Sequence, residues 1–288
     1  MPAASDPRDR PIGVFDSGVG GLTVLHELLV SLPNEDFLYF GDDARFPYGP
    51  RTAEDLELIG LSVVETLLEY QVKLLVVACN SMTAAALPVL RRRMQETTLG
   101  VDVIGVVAPE AVQAVAATRT GRIGLLATEA TVASGAYAKA LAAVDPHVDL
   151  VAVPCPDLAS MIQEPPSGEL FTRELELLVR RYCEPLISTR VDTVILGCTH
   201  YPLVRSILQR ALGRSVSLIT SGAALARQAE HALGARDLAT QRTVEGRYSF
   251  LCSGDPDAFR AAGTKFLQMP IDEVGLVSFP AASEVGPW

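Results

Sequence analysis

The chain has 288 residues, about the length of two ordinary domains, and 49% of them are apolar, enough for a sizeable buried core. A formal net charge of −10 argues against partnership with nucleic acid or an anionic membrane surface, while leaving room for a small anionic ligand held by local donors. No apolar run approaches the roughly 18 residues of a membrane span, and the leading "MPAASDPRDRP" has no signal-peptide core and reads as a disordered lead-in.

Strand-like apolar runs then alternate with helix-length amphipathic segments. "PIGVFDS" precedes "GLTVLHELLVSLP", in which apolar residues recur at helical spacing. "DFLYFGD", the helical "TAEDLELIGLSVVETLLEYQ" and "VKLLVVACNS" follow. The alternation resumes with "VDVIGVV", "GRIGLLAT", "HVDLVAVPC", "VDTVILGCTH" and "SVSLIT". Such a pattern predicts an α/β fold with mostly parallel sheets. "KLLVVAC" and "TVILGC" are apolar at successive positions, so both faces of those strands are expected to be buried, centrally in their sheets. Ligands collect beyond the carboxyl ends of such strands, where Asp16, Cys79 and Cys198 fall.

"IGVFDSG" is echoed by "IGLLATE" about 110 residues later, and "LLVVACNS" by "TVILGCTH" after about 120. That scale excludes a short solenoid repeat and fits duplication of a whole α/β domain, or chance likeness between buried strands. "ETTLGVD" near 97–102 and "LGRSVS" near 212–217 are candidate crossings between domains. "QEPPSGE", 163–169, reads as a surface loop, while "ARDLATQRTVEG" and the last three residues read as exposed.

Chemistry-bearing residues concentrate at strand ends. In "FDSGVGGLTV" a glycine-rich turn opens a helix and offers backbone N–H groups to an anion. It lacks the Gly-Lys-Ser/Thr of a Walker loop and is no clean G-x-G-x-x-G, so a tight βα turn capped by Asp16 or Ser17 explains it equally well. "GDDARFPYGPRT" is a proline-stiffened loop, either a solvated connection or a cover for a strand-end pocket presenting Tyr48 and Gly49. Cys79 is followed by Asn80 and Ser81, and Cys198 by Thr199 and His200, each where a strand gives way to an expected helix N-terminus. A thiol reacts as thiolate, which a helix N-terminus or a nearby imidazolium favours. Five scattered cysteines without a secretion signal are expected to be free thiols, and a lone one is usually a small buried hydrophobe. The matched pair is what points to chemistry.

A zinc site would need close Cys pairs or several clustered His and acidic ligands, and with four histidines in the chain no metal is expected. His26, His147 and His231 read as surface or boundary residues. A Cys198–His200 amide hydrolase would leave Cys79 without a task. Inversion of a carbon bearing hydrogen suits two thiols, one taking a proton from one face while the other supplies a proton to the opposite face. No lysine sits in a context suggesting a pyridoxal Schiff base, so no cofactor is expected and electrostatics must carry the intermediate. A non-catalytic amino-acid binder remains a third reading.

"GVFDSGVGGLTV", "YFGDDARFPYG", "VVACNS" and "LGCTHYPL", in this order and spacing across nearly the whole chain, resemble the aspartate/glutamate racemase family, and within it the glutamate-specific members. The resemblance implies a cofactor-independent isomerase interconverting L- and D-glutamate for peptidoglycan, with aspartate the competing substrate. It implies a cytoplasmic homodimer with no nucleic-acid or membrane partner. Two pseudo-symmetric, doubly wound domains are implied, 1–101 plus 216–288 and 102–215, with the active site in the cleft between them. Cys79 and Cys198 match the catalytic acid/base thiols, and Asp16 and His200 the auxiliary groups beside them. Asp16, Ser17, Tyr48, Gly49, Asn80, Ser81, Thr199 and His200 match substrate-contact positions. Three positions depart from the pattern: Asp43 stands for the usual threonine, Thr220 for a frequent acid, and Gln163 for an auxiliary glutamate, with Glu164 next to it.

Overall fold

The computed structural model describes residues 6–96, 100–165 and 168–279. Its elements run β1 (Ile12–Asp16), α1 (Leu22–Ser31), β2 (Phe37–Gly41), α2 (Ala53–Glu69), β3 (Leu74–Val77), α3 (Asn80–Glu96), β4 (Asp102–Gly105) and α4 (Val107–Ala117). They continue with β5 (Arg122–Ala127), α5 (Glu129–Ala133), α6 (Ala136–Val144), β6 (Asp149–Pro154), α7 (Leu158–Gln163), α8 (Arg173–Ser188), β7 (Thr193–Gly197) and α9 (Arg205–Leu212). The chain ends through β8 (Ser217–Ile219), α10 (Gly222–Ala235), β9 (Tyr248–Cys252), α11 (Pro256–Leu267) and β10 (Val274–Leu276).

The strands form two parallel sheets, one of order β10-β9-β2-β1-β3-β4 and one of order β6-β5-β7-β8. The order β2-β1-β3-β4 recurs as β6-β5-β7-β8, so the internal echo is a repeat of strand order, with β1 equivalent to β5 and β3 to β7. Every residue of β1, β3 and β7 is buried, as expected of apolar strands covered on both faces. Ile12 pairs with Leu74 across β1 and β3, and Ile123 with Thr193 across β5 and β7. The carboxyl ends of β3 and β7 therefore carry Cys79 and Cys198 at equivalent places.

The sheets part at different points from the expected 102 and 216. β4 begins at Asp102 yet is the edge of the first sheet, and β8 begins at Ser217 yet is the edge of the second. Each crossover consequently runs through a helix, α4 on the way out and α10 on the way back, because a parallel connection needs a full layer to turn in. Residues 97–99 of the first expected crossing, and the last three of the chain, lie outside the described residues. Residues 1–5 of the expected disordered lead-in lie outside the described residues; within the rest of it residues 7–9 form a 3₁₀ turn and Lys73 Nζ donates to Arg8 O at 2.5 Å. Among the described residues no helix is long and apolar enough to cross a membrane.

Candidate active site

The two thiols are nearly enclosed, Cys79 with 4% and Cys198 with 7% of its surface exposed. After Cys79 the chain enters α3 directly, and Thr83 N donates to Cys79 O. After Cys198 no α-helix starts at once; a 3₁₀ turn over 201–204 intervenes before α9, correcting the expected symmetry of two helix N-termini. Each sulfur nonetheless meets backbone N–H groups of its following turn, from Met82 for Cys79 and from His200 and Tyr201 for Cys198. Burial outweighs them and pushes both thiols up from the ordinary cysteine range, helped by the nearby Asp16 charge. Among the described residues all five cysteines are free.

Asp16 ends β1 between the two motifs. Its Oδ2 accepts Gly21 N–H at 2.7 Å and Thr199 Oγ1–H at 3.4 Å, while its Oδ1 is buried without a partner. Loss of solvent holds its carboxyl up at about 6. The glycine-rich turn is fitted against the second motif: a Cβ on Gly20 would lie 2.4 Å from His200 Cε1 and 2.5 Å from Thr199 Oγ1. Thr23 Oγ1 also donates to Thr199 O at 3.0 Å. Ser17 Oγ lies 4.0 Å from the Cys79 sulfur.

His200 Nδ1 stands 3.6 Å from Cys198 Sγ and 3.4 Å from Thr199 Oγ1, and its Nε2 is 2.9 Å from Gln163 Oε1. An amide oxygen only accepts, so Nε2 carries the proton and Nδ1 offers its lone pair to the thiol. Phe46 and Phe266 flank the ring with centroids 5.6 and 5.4 Å away, and burial lowers the imidazole to about 3. Gln163 was read as part of a surface loop; it ends α7 and turns inward, whereas Glu164 is exposed. The position beside His200 thus holds an amide instead of a carboxylate.

Tyr48 is buried, but its hydroxyl donates to Asp42 Oδ2, so its phenol is committed inside the loop. Arg45 Nε at 2.6 Å and Ser253 Oγ at 2.7 Å complete the hold on Asp42. Asp43 accepts N–H groups of Ser253 and Gly254, fastening the same loop to the end of β9. Gly49 O accepts from Ala130 N at 3.0 Å, and Ser81 Oγ shares a hydroxyl cluster with Thr128 and Thr131 at 2.8 and 3.2 Å. These contacts close the seam between the sheets. Asn80 Nδ2 meets Tyr137 and Glu110, and its Oδ1 is buried and unpartnered. Every predicted site residue therefore lies at this seam, although Tyr48 and Ser81 spend their hydroxyls on protein partners.

Sequence reasoning missed Glu110, Tyr137, Thr128, Thr131 and Ser221. Glu110 had a legible signal: with Val107, Ala111 and Ala114 it lies on the buried stripe of α4, at spacings of three, four and seven. Among the described residues no three His, Cys, Asp or Glu side chains are arranged to hold a metal ion. A surface hollow of about 300 Å³ lined by Arg119, Arg190, Asp192 and Ser215 opens at the opposite, amino-terminal ends of β5, β7 and β8.

Two α/β units of like strand order, each presenting a buried thiol to a common seam, define a class of two-unit parallel α/β proteins. Residues 22–229 match the Asp/Glu/Hydantoin racemase family, and the chain belongs to that family. It is 39% identical to a glutamate racemase from Geobacter metallireducens over 96% of this chain and 99% of the relative. A glutamate racemase isoform from Bacillus anthracis superposes with a TM-score of 0.87 at 36% identity, covering 95% of this chain and 99% of that one. A glutamate racemase from Francisella tularensis, solved with D-glutamate, gives 0.85 at 31% identity over 94% and 98%.

Proposed function

We propose that this chain is a glutamate racemase that interconverts L- and D-glutamate by a two-base reaction between Cys79 and Cys198. The supporting observation is the pair of thiols at equivalent ends of β3 and β7, on two units of the same strand order. One sulfur, as thiolate, takes the Cα proton from one face of the substrate. The other, as thiol, gives its proton to the opposite face, and the Cα–H bond broken is replaced by one of inverted configuration. After one turnover the protonation states are exchanged, so the reverse direction needs no additional group.

Burial opposes formation of either thiolate, so the charge must be stabilised when substrate is bound. The α-ammonium supplies positive charge and three donors, and the unpartnered Asp16 Oδ1 and Asn80 Oδ1 are the acceptors suited to it. Neutral His200, with its Nδ1 lone pair toward Cys198, relays that thiol's proton. Asp16, held up at about 6, serves the same purpose for Cys79. Ser17, the Tyr48–Gly49 backbone and Thr199 contact the substrate carboxylates. By its resemblance the enzyme acts without a cofactor, as a cytoplasmic homodimer, and supplies D-glutamate for peptidoglycan and cell shape.

Incubation with L- or D-glutamate in deuterated water, without added cofactor, tests this reading. Optical rotation should decay to zero from either side, with deuterium entering Cα of both enantiomers. Faster turnover of aspartate than of glutamate would overturn the substrate assignment, and no Cα exchange would overturn the reaction.

A further inference from the structure

Glu110 is wholly buried on α4, the helix that leaves the first sheet, and no step described above uses it. Its Oε1 accepts from Ser221 Oγ at 2.5 Å, and Ser221 immediately precedes α10, the helix that returns to the first sheet. Its Oε2 accepts from Asn80 Nδ2 at 3.1 Å and from the hydroxyl of Tyr137, on α6 of the second unit. Tyr137 OH in turn accepts from Asn80 Nδ2 at 2.7 Å. One carboxylate thereby joins both crossover helices, the second unit and the residue following Cys79.

The consequence falls on the Asn80 amide. A planar carboxamide whose NH₂ is held by Glu110 and Tyr137 must turn its oxygen away from them. That oxygen is buried and without a donor. Above about pH 7, where Glu110 is ionised, its carboxylate also polarises the amide through the N–H groups and makes the oxygen a stronger acceptor.

We propose that Glu110 is a positioning residue: through Asn80 it fixes the acceptor for the substrate's α-ammonium, and through Ser221 it ties that acceptor to the junction of the two sheets. The inference rests on the racemase reading given above. Glu110→Gln keeps the shape but replaces one acceptor oxygen by an NH₂ group, which must face either Ser221 or the Asn80–Tyr137 pair. Tyr137→Phe removes one hydroxyl and serves where the first variant folds poorly.

The test compares glutamate with glutarate, which keeps both carboxylates and lacks the ammonium. In Glu110→Gln the glutamate KM should rise about tenfold or more, the size of a lost charge-assisted hydrogen bond, while the glutarate inhibition constant stays within about threefold. Tyr137→Phe should show the same split to a smaller degree. An unchanged glutamate KM in both variants overturns the proposal, and so does equal weakening of glutamate and glutarate, the mark of a merely structural role. Failure of the wild type to racemise glutamate is a separate outcome: it strikes the racemase reading itself, whatever the variants do.

Discussion

His200 Nε2 and Gln163 Oε1 face each other at 2.9 Å, and that contact determines which imidazole nitrogen meets the Cys198 thiol. A carboxylate in place of the amide would favour imidazolium and draw the proton toward itself. Gln163→Glu should therefore raise the imidazole from about 3 into the range between pH 5 and 8. The chain has four histidines, so ring C–H resonances can be followed one by one by NMR. In the wild type the His200 signal should stay unmoved down to pH 5. A wild-type His200 that titrates near 6.5 would sink the fixed-tautomer account.

The thiols make a sharper prediction about direction. Each is buried and lifted above its ordinary range, so each depends on its own neighbours, Asp16 and Ser17 for Cys79 and His200 for Cys198. Cys79→Ser or Cys198→Ser should each lower racemisation by about 10²–10⁴-fold, the usual contribution of a positioned acid or base. Because a serine hydroxyl ionises far less readily than a thiol, each variant should keep slow Cα exchange from the enantiomer whose proton faces the remaining thiol. Near-wild-type racemisation in either variant would defeat the two-base assignment.

How much of this was legible in the sequence follows from the range over which each signal acts. β1 through β8 and both thiol motifs announce themselves locally, because an apolar run ending in Gly, Cys or Asp is read from neighbouring residues. β9 and β10 gave no such signal: β10 is a three-residue edge strand, and only the second half of β9 is buried. Gln163, singled out only through the resemblance, and Glu110, marked only by its place on a buried stripe, act on residues 37 and 30 positions away. Their partners come from other elements, and no periodicity within α4 or α7 names Asn80 or His200. Strand pairing at the expected crossing is long-range in the same way: Asp102 follows a turn-like sequence, yet its strand pairs back onto β3.

The fit between the glycine-rich turn and the second motif can be tested by adding a single methyl group. At Gly20 it would meet His200 and Thr199 at 2.4–2.5 Å, and neither is the free end of a flexible chain. Gly20→Ala should cost about 1–3 kcal/mol of stability, as overpacking does, and reduce kcat/KM by separating the two motifs. Gly234→Ala is the matched control, since nothing lies within 4 Å of its Cβ position on α10. That control should be neutral or gain about 0.5–1 kcal/mol from helix propensity. Thermal melts with kinetics on both variants decide it; equal behaviour would mean the turn is loosely packed.

Glu110 also leaves a mark on stability against pH that is independent of turnover. Burial raises it from 4.5 to about 7, against the pull of Ser221, Tyr137 and Asn80. Among the described residues that hydrogen-bond to it, Asn80, Ser221 and Tyr137, only Tyr137 can titrate, and that phenol is pushed well above its ordinary range and stays neutral. A folded-state value above the unfolded one means the folded protein holds the proton longer. The stabilising contribution is complete below pH 4.5 and is lost as pH rises through 7. The loss amounts to about 3 kcal/mol if the full shift is realised. Glu110→Gln carries no titrating proton, so the stability difference between wild type and variant should move in the variant's favour between pH 5 and pH 8. Asp16 and His200 titrate alike in both proteins and cancel from that difference. Parallel denaturant curves at the two pH values measure it, and a pH-independent difference would show that Glu110 keeps an ordinary carboxylate pKa in the folded protein.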